Sequence, residues 1–148
     1  MGNKNLLITG SNGCVGQYLI DWFLKNSNYR LVLMVRDPNK LPLSIRNNER
    51  INLLACDIRD CKKFKKELRE INYLIHTATA WGDPKRAYEV NVAAFEELLR
   101  LLKKSILEKI IYFSTASILN EETELMRESL IYGTEYIQTK YQCYENLR

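Results

Sequence analysis

The chain has 148 residues, of which 46% are hydrophobic and 27% are charged, and its formal net charge is +4. This length and composition exclude a disordered or fibrous chain and predict one globular domain with a sizeable core. No apolar run is long enough for a membrane span or a signal peptide, so we expect a cytoplasmic protein without a membrane partner. One histidine and four scattered cysteines do not make a structural zinc site, so we expect reduced thiols and no metal.

Five short apolar runs alternate with segments of helical periodicity. The runs are 5–9, 31–35, 51–55, 73–76 and 110–113. Continuous apolar character over four or five residues is typical of strands that are covered on both faces, as in a parallel sheet between two layers of helices. We therefore predict an α/β, doubly wound parallel sheet, which is a Rossmann fold, with about five strands and helices on both faces.

Apolar residues at helical spacing predict two of the helices. The first stripe is Val15, Leu19 and Phe23, and the second is Val90, Ala94, Leu98, Leu101 and Leu102. The polar segment 37–50 carries two prolines and predicts an irregular crossover. Lysines at 62, 63, 65 and 66 predict a solvated helix face, because acidic residues follow directly, and we expect no nucleic-acid partner.

A glycine-rich turn lies between the first strand and the first helix, in the stretch ITGSNGCVGQYL, residues 8–19. The first N–H groups of a helix lack internal partners and the helix dipole is positive there, so that an anion can bind. Gly10 would allow the tight turn, Gly13 the close approach of a pyrophosphate, and Gly16 the packing of helix on sheet. The alternative is a turn without a ligand. We predict a dinucleotide-binding loop made by Gly10, Asn12, Gly13, Cys14, Val15 and Gly16.

The spacing Thr9-Gly10-x-x-Gly13-x-x-Gly16 resembles the short-chain dehydrogenase/reductase superfamily. The resemblance is to its extended branch of nucleotide-sugar epimerases, dehydratases and related reductases, and it covers residues 6–148. It implies an NAD(P)-dependent oxidoreductase or epimerase/dehydratase, with a nucleotide-sugar or a small carbonyl or alcohol compound as substrate.

The end of the second strand is where the adenosine ribose should lie. An acidic residue there would accept hydrogen bonds from the 2′-hydroxyl, whereas an arginine would pair with a 2′-phosphate. This chain has Arg36 there, as in NADP-using reductases of the extended branch, which predicts NADP as the preferred cofactor over NAD. Two alternatives stay open: Asp37 takes the ribose hydroxyls, or residues 36–38 form a turn without a ligand.

The ends of the third and fourth strands complete the expected cofactor site. Asp57 and Ile58 resemble the family's acidic and apolar pair beside the adenine. The segment with Ala78 and Thr79 resembles the small-residue stretch that lets the cofactor lie over the strand end. His76, which precedes it, is interpreted as structural.

The expected reactive groups follow the fifth strand. Tyr136 and Lys140 have the spacing i, i+4, which places both side chains on one face of a helix. The resemblance implies that Tyr136 exchanges a proton with the substrate oxygen, that Lys140 favours the ionised phenol and holds the nicotinamide ribose, and that Thr115 hydrogen-bonds the reacting oxygen. The alternative for the segment 114–117 is a polar strand end without chemistry.

Enzymes of the extended branch continue well beyond the position of Lys140, with further strands and a substrate-binding lobe. We therefore expect residues 1–148 to form a truncated NAD(P)-binding Rossmann domain that lacks the C-terminal lobe. A fragment, one chain of a split enzyme and a non-catalytic dinucleotide-binding module are the open alternatives. The segments 85–104 and 134–148 resemble the helix pair of a family dimer interface, which predicts a homodimer. Alternatively, their apolar stripes pack on the sheet.

Overall fold

A five-stranded parallel sheet organises the chain. The computed structural model describes residues 4–147, so the two ends of the predicted domain, residues 1–3 and 148, lie outside the described residues. The strands are β1 (Asn5–Thr9), β2 (Arg30–Val35), β3 (Ile51–Ala55), β4 (Tyr73–His76) and β5 (Lys109–Tyr112). They lie in the order β3-β2-β1-β4-β5 and pair in parallel throughout. The predicted doubly wound sheet is confirmed, with every strand within one residue of its expected bounds.

Helices connect the strands. They are α1 (Cys14–Asn26), α2 (Leu43–Arg46), α3 (Lys65–Leu68), α4 (Pro84–Ala87), α5 (Ala94–Leu101), α6 (Glu128–Tyr132) and α7 (Glu135–Leu147). A π-helix, Tyr88–Ala93, joins α4 to α5, and 3₁₀ turns lie at Pro38–Lys40, Ile58–Phe64 and Ala116–Ile118. The segment 37–50 is irregular apart from its two short helical turns, as expected. Within residues 4–147, none of the helices combines the length and apolar character needed to cross a membrane.

The core lies on both faces of the sheet, because successive side chains of a strand point to opposite sides. Leu7 belongs to one core, which includes Phe95 of α5. Leu6 and Ile8 belong to the other, which includes Ile20 of α1. Helices therefore cover both faces, as the continuously apolar strands indicated.

The predicted apolar stripe of α1 is wrong at Val15, which is 43% exposed. The buried positions of this helix are Gly16 and Ile20, with Leu19 and Phe23 packed against the core while partly buried. Gly16 has no side chain to hold the helix away from the loop before it, so the line of contact passes through residues 16 and 20. The second stripe is buried at every position except Leu101, which is partly buried.

Candidate functional site

A pocket of about 430 Å³ lies at the carboxyl ends of the first four strands. In this sheet β1 connects to β2 on one side and pairs with β4 on the other, and crevices at such reversals are the usual ligand sites of open α/β sheets. Eight of the predicted cofactor-binding residues line it: Gly10, Asn12, Gly13, Arg36, Asp57, Ile58, Ala78 and Thr79. The topology therefore brings together residues that are far apart in the sequence.

The three glycines of the loop have different reasons to be glycine. Gly10 has φ of +69°, and a Cβ there would lie 2.7 Å from Thr77 Oγ1. A Cβ on Gly16 would lie 2.5 Å from the carbonyl oxygen of Gly10. A Cβ on Gly13 would meet only that same oxygen, at 3.2 Å. The packing of the protein thus requires glycine at positions 10 and 16, whereas a methyl group at position 13 would need only a small shift of the Gly10 carbonyl.

The first turn of α1 presents N–H groups without acceptors. Gly13 is the N-cap, and α1 has neither a side-chain cap nor an acidic residue in its first turn. Within residues 4–147, no hydrogen bond uses the N–H groups of Cys14, Val15 or Gly16, and the first helical bond comes from Gln17 N to Gly13 O. The side chains of Cys14 and Val15 are exposed outside the pocket lining, so these residues can contribute to a site only through their backbone. Unpaired N–H groups at a positive helix end form an anion site.

The adenosine end of the expected site contains charged side chains. Arg36 is exposed and lines the pocket. The Asp37 carboxylate accepts a hydrogen bond from Asn39 N at 3.0 Å, and its carbonyl accepts one from Asn12 Nδ2 at 3.1 Å. The other amide atom of Asn12, Oδ1, is buried and has no partner among the described residues.

Asp57 is held at the pocket wall by Arg59. The guanidinium donates from Nε to Asp57 Oδ1 at 2.9 Å, and this hydrogen bond lowers the pKa of the carboxyl. The same arginine also pairs with Glu89 on the π-helix, at 3.2 Å. Asp57 is therefore ionised and fixed in position at neutral pH.

The segment after β4 is attached to the end of β1. Thr77 Oγ1 donates to Thr9 O at 2.7 Å, and Ala78 N donates to Thr9 Oγ1 at 3.3 Å. The Nδ1 atom of His76 lies 2.9 Å from the same hydroxyl. Burial lowers the pKa of His76 to about 3, so the ring is neutral at ordinary pH. His76 lies within the sheet rather than in the pocket lining.

Asn91 on the π-helix holds this segment from the other side. The side chain is 1% exposed, and its Oδ1 accepts from Ala80 N at 2.7 Å and from Thr79 Oγ1 at 3.2 Å. Its Nδ2 donates to Ala80 O at 2.8 Å and to Thr139 Oγ1 of α7 at 2.9 Å. One buried amide thus ties the pocket wall to the helix that carries Tyr136 and Lys140.

The expected reactive residues lie beside the pocket and outside its lining. Lys140 is 2% exposed, and its Nζ donates to the carbonyl of Phe113 at 2.7 Å. The Nζ atom lies 5.7 Å from the centroid of the Tyr136 ring, and burial lowers the pKa of Lys140 to about 8. Thr115 caps the 3₁₀ turn 116–118, which contacts α7, and its hydroxyl donates to Ser117 Oγ at 3.2 Å.

Trp81 connects the two groups of residues. It lines the pocket, and its ring meets the Tyr136 ring edge to face, with the centroids 6.4 Å apart. Neither Trp81 nor Arg86, which also lines the pocket, was among the residues expected from the sequence. Trp81 could have been predicted as a pocket residue from its position in the sequence, directly after the small residues that follow β4. Within residues 4–147, no group of three or more His, Cys, Asp or Glu side chains could hold a metal ion.

The sequence model of the family described as "NAD dependent epimerase/dehydratase family" matches residues 6–146. The expected family resemblance is thereby confirmed.

Individual relatives agree with this match. The chain is 26% identical over 141 residues to an uncharacterized membrane protein of Methanocaldococcus jannaschii, covering 86% of this chain and 42% of the relative. It is 27% identical over 126 residues to the UDP-glucose 4-epimerase of Rickettsia bellii, covering 76% of this chain and 37% of that enzyme. The crystal structure of UDP-glucuronic acid 4-epimerase from Bacillus cereus in complex with NAD superposes with a TM-score of 0.72 at 26% identity, covering 95% of this chain and 52% of that one. The chain therefore spans about half or less of the length of these relatives.

Proposed function

Because the chain belongs to the NAD-dependent epimerase/dehydratase family, we propose that it binds a dinucleotide cofactor and supplies the cofactor side of an epimerase/dehydratase site for nucleotide-sugars. The observation that carries this proposal is the first turn of α1, where three N–H groups without acceptors follow Gly13. That pattern suits a pyrophosphate better than a plain turn, since the packing of the protein demands glycine less strictly at position 13 than at positions 10 and 16. The nucleotide-sugar is proposed from the UDP-sugar epimerases among the relatives.

The residues present fit a dinucleotide along the whole pocket. The N–H groups of residues 14–16 hold the pyrophosphate, and the small residues Ala78 and Thr79 let the cofactor lie across the end of β4. Asp57 and Ile58 border the adenine.

Arg36 and Asp37 decide between the two dinucleotides. Arg36 is exposed at the pocket edge with no hydrogen-bond partner within residues 4–147, and we assign it to a 2′-phosphate, which favours NADP. The Asp37 carboxylate already accepts a backbone hydrogen bond, which leaves it less free to accept ribose hydroxyls. The relative from Bacillus cereus is a complex with NAD, so the direct comparison of the two cofactors is the decisive measurement.

Proton transfer is assigned to Tyr136. A bound dinucleotide would supply hydride transfer to and from the substrate carbon. Tyr136 accepts the hydroxyl proton of the substrate alcohol and gives it back to the carbonyl oxygen. A phenol is a poor base at neutral pH, and the ammonium of Lys140, 5.7 Å from the Tyr136 ring centroid, favours the ionised form. Lys140 also holds the nicotinamide ribose, and Thr115 donates to the reacting oxygen as charge develops on it.

One observation favours a second candidate, a dinucleotide-binding module without catalysis. The pocket lining includes the expected cofactor residues but not Thr115, Tyr136 or Lys140, and the Lys140 ammonium is engaged by the Phe113 carbonyl. Titration calorimetry with NAD and NADP, followed by turnover of UDP-glucose and UDP-glucuronic acid, separates the two. Turnover that is lost in Tyr136→Phe supports the enzyme, and dinucleotide binding without turnover supports the module. If neither dinucleotide binds, both candidates are refuted.

A homodimer through segments 85–104 and 134–148 remains a proposal. Val90 and Leu98 are buried within the chain, so this part of the stripe is not available to a partner and packs in the core, as the alternative interpretation expected. The outer side chains Tyr88 and Tyr144 stay exposed and would form the contact. Sedimentation at increasing concentration tests it, and a clean monomer would refute it.

A cytoplasmic location is proposed from the four cysteines, all of which are free thiols.

A further inference from the structure

Trp81 is a large aromatic side chain of the pocket lining that the proposed mechanism does not use. It is 68% exposed although it lines the pocket, and it lies at the end of the pocket near Tyr136. Large exposed aromatic rings in a ligand pocket are common contact surfaces, because the ring offers apolar area at a low cost in conformational entropy.

The backbone on each side of Trp81 is fixed by a separate hydrogen bond. Before it, both polar atoms of the Ala80 peptide backbone bond to the amide of buried Asn91, at 2.7 and 2.8 Å. After it, Gly82 N donates to Glu135 Oε1 at 2.7 Å. Gly82 has φ of +85°, a left-handed conformation that favours glycine, and this lets the chain turn away directly after the ring. The backbone that carries the exposed ring is therefore held at the pocket rim.

The Trp81 ring lies beside a residue that is assigned a role in the reaction. Its ring centroid lies 6.4 Å from that of Tyr136, the residue that is assigned the proton transfer, and most of its surface stays open. Glu135, which anchors Gly82, directly precedes Tyr136 on α7. One hydrogen bond therefore links the residue after Trp81 to the residue before Tyr136.

We propose that Trp81 determines substrate specificity by stacking against the apolar C–H face of the sugar ring of a nucleotide-sugar. This inference rests on the proposed function, because it takes the nucleotide-sugar as substrate and Tyr136 as the group beside the reacting carbon. The flat ring recognises the ring face and leaves the sugar hydroxyls to polar groups. It contributes to binding of the sugar and not of the nucleotide.

The chain offers a direct spectroscopic test, because its two tryptophans are Trp22 and Trp81. Trp22 lies on α1, outside the pocket lining, so Trp22→Phe leaves Trp81 as the single reporter. We expect the fluorescence of the NAD-loaded variant to change on addition of UDP-glucose or UDP-glucuronic acid and to stay constant with UDP, which lacks the sugar.

Affinity measurements give the matched controls. In Trp81→Leu the Kd of the UDP-sugar should rise about tenfold, as expected for the loss of one aromatic contact, while the Kd values of UDP and NAD stay the same. Trp81→Phe should recover most of the loss. Equal affinities of wild type and Trp81→Leu for the UDP-sugar would overturn the inference. So would a weaker affinity of Trp81→Leu for NAD alone, which would mean that the ring faces the cofactor. If wild type binds NAD but neither UDP nor a UDP-sugar, the nucleotide-sugar of the proposed function fails, and the inference fails with it.

Discussion

Replacing Gly13 by alanine should weaken dinucleotide binding while leaving the fold intact. Gly13 is the N-cap of α1, and its Cβ position faces only the Gly10 carbonyl oxygen at 3.2 Å. A shift of a few tenths of an ångström accommodates the methyl group. The loss of glycine at an N-cap costs less than about 1 kcal/mol of stability.

The expected loss of affinity follows from the anion site. A methyl group that keeps the pyrophosphate from one N–H of the first turn removes a charge-assisted hydrogen bond of about 1.5–3 kcal/mol. The Kd should therefore rise about tenfold to hundredfold. Gly16→Ala should instead mainly lower the free energy of unfolding, because its Cβ would lie 2.5 Å from the Gly10 carbonyl oxygen. Such overpacking costs about 1–3 kcal/mol of stability.

Titration calorimetry with NAD measures the loss of affinity, and thermal unfolding without ligand measures the loss of stability. Gly13→Ser is a useful companion, because a serine N-cap bonds the N–H groups of the first turn and stabilises the helix while it competes with the anion. It should unfold at a higher temperature than Gly13→Ala and bind NAD no better. An unchanged Kd in Gly13→Ala would refute the pyrophosphate assignment. A variant that binds NAD more weakly only because it is unfolded would refute it as well.

Three further predictions concern single charged or titratable groups. Arg36→Ala should abolish a preference for NADP of about tenfold to hundredfold in calorimetry, and wild type that binds NAD as tightly as NADP would refute the assignment. Burial lowers the pKa of His76 to about 3, so the unfolded chain binds one proton more between that pH and about 6.5. The free energy of unfolding should therefore decrease as the pH falls through this range, by up to about 1.4 kcal/mol per pH unit, and His76→Gln should lose this dependence in urea titrations at pH 7 and 5.5. Burial also lowers the pKa of Lys140 to about 8, which means that the fold disfavours its charge. The free energy of unfolding should therefore increase as the pH rises from about 8 to about 10.5, and Lys140→Met should lose this dependence and abolish any turnover; a dependence that Lys140→Met keeps would contradict this reasoning.

The strands could be predicted because the sheet is covered on both faces. A run such as 73–76 is apolar at nearly every position, which is typical of a strand in a parallel sheet that is covered on both faces. Once the strands and their parallel order are known, the residues that follow them must meet at one edge of the sheet. Gly10, Arg36, Asp57 and Ala78 therefore reach one pocket although they span much of the sequence.

Residues whose role depends on contacts distant in sequence could not be predicted. Asn91 lies inside an apolar helical stripe, and its partners Ala80 and Thr139 are 11 and 48 positions away. The proposed role of Trp81 depends on its contact with Tyr136, which lies on a helix that comes near only in the folded chain. The stripe through Val15 was wrong for a related reason, because helical spacing alone does not say which line of residues the glycine at position 16 brings against the core.

The Asn91 amide has a consequence for hydrogen exchange. The Ala80 N–H lies in a loop, outside the helices and strands, where amides commonly exchange with solvent deuterium within a short time. Here its acceptor is the side chain of a nearly fully buried residue that is also bonded to α7. Exchange at Ala80 then requires the loop after β4 to separate from the π-helix, so this amide should exchange more slowly than those of loops without such a bond.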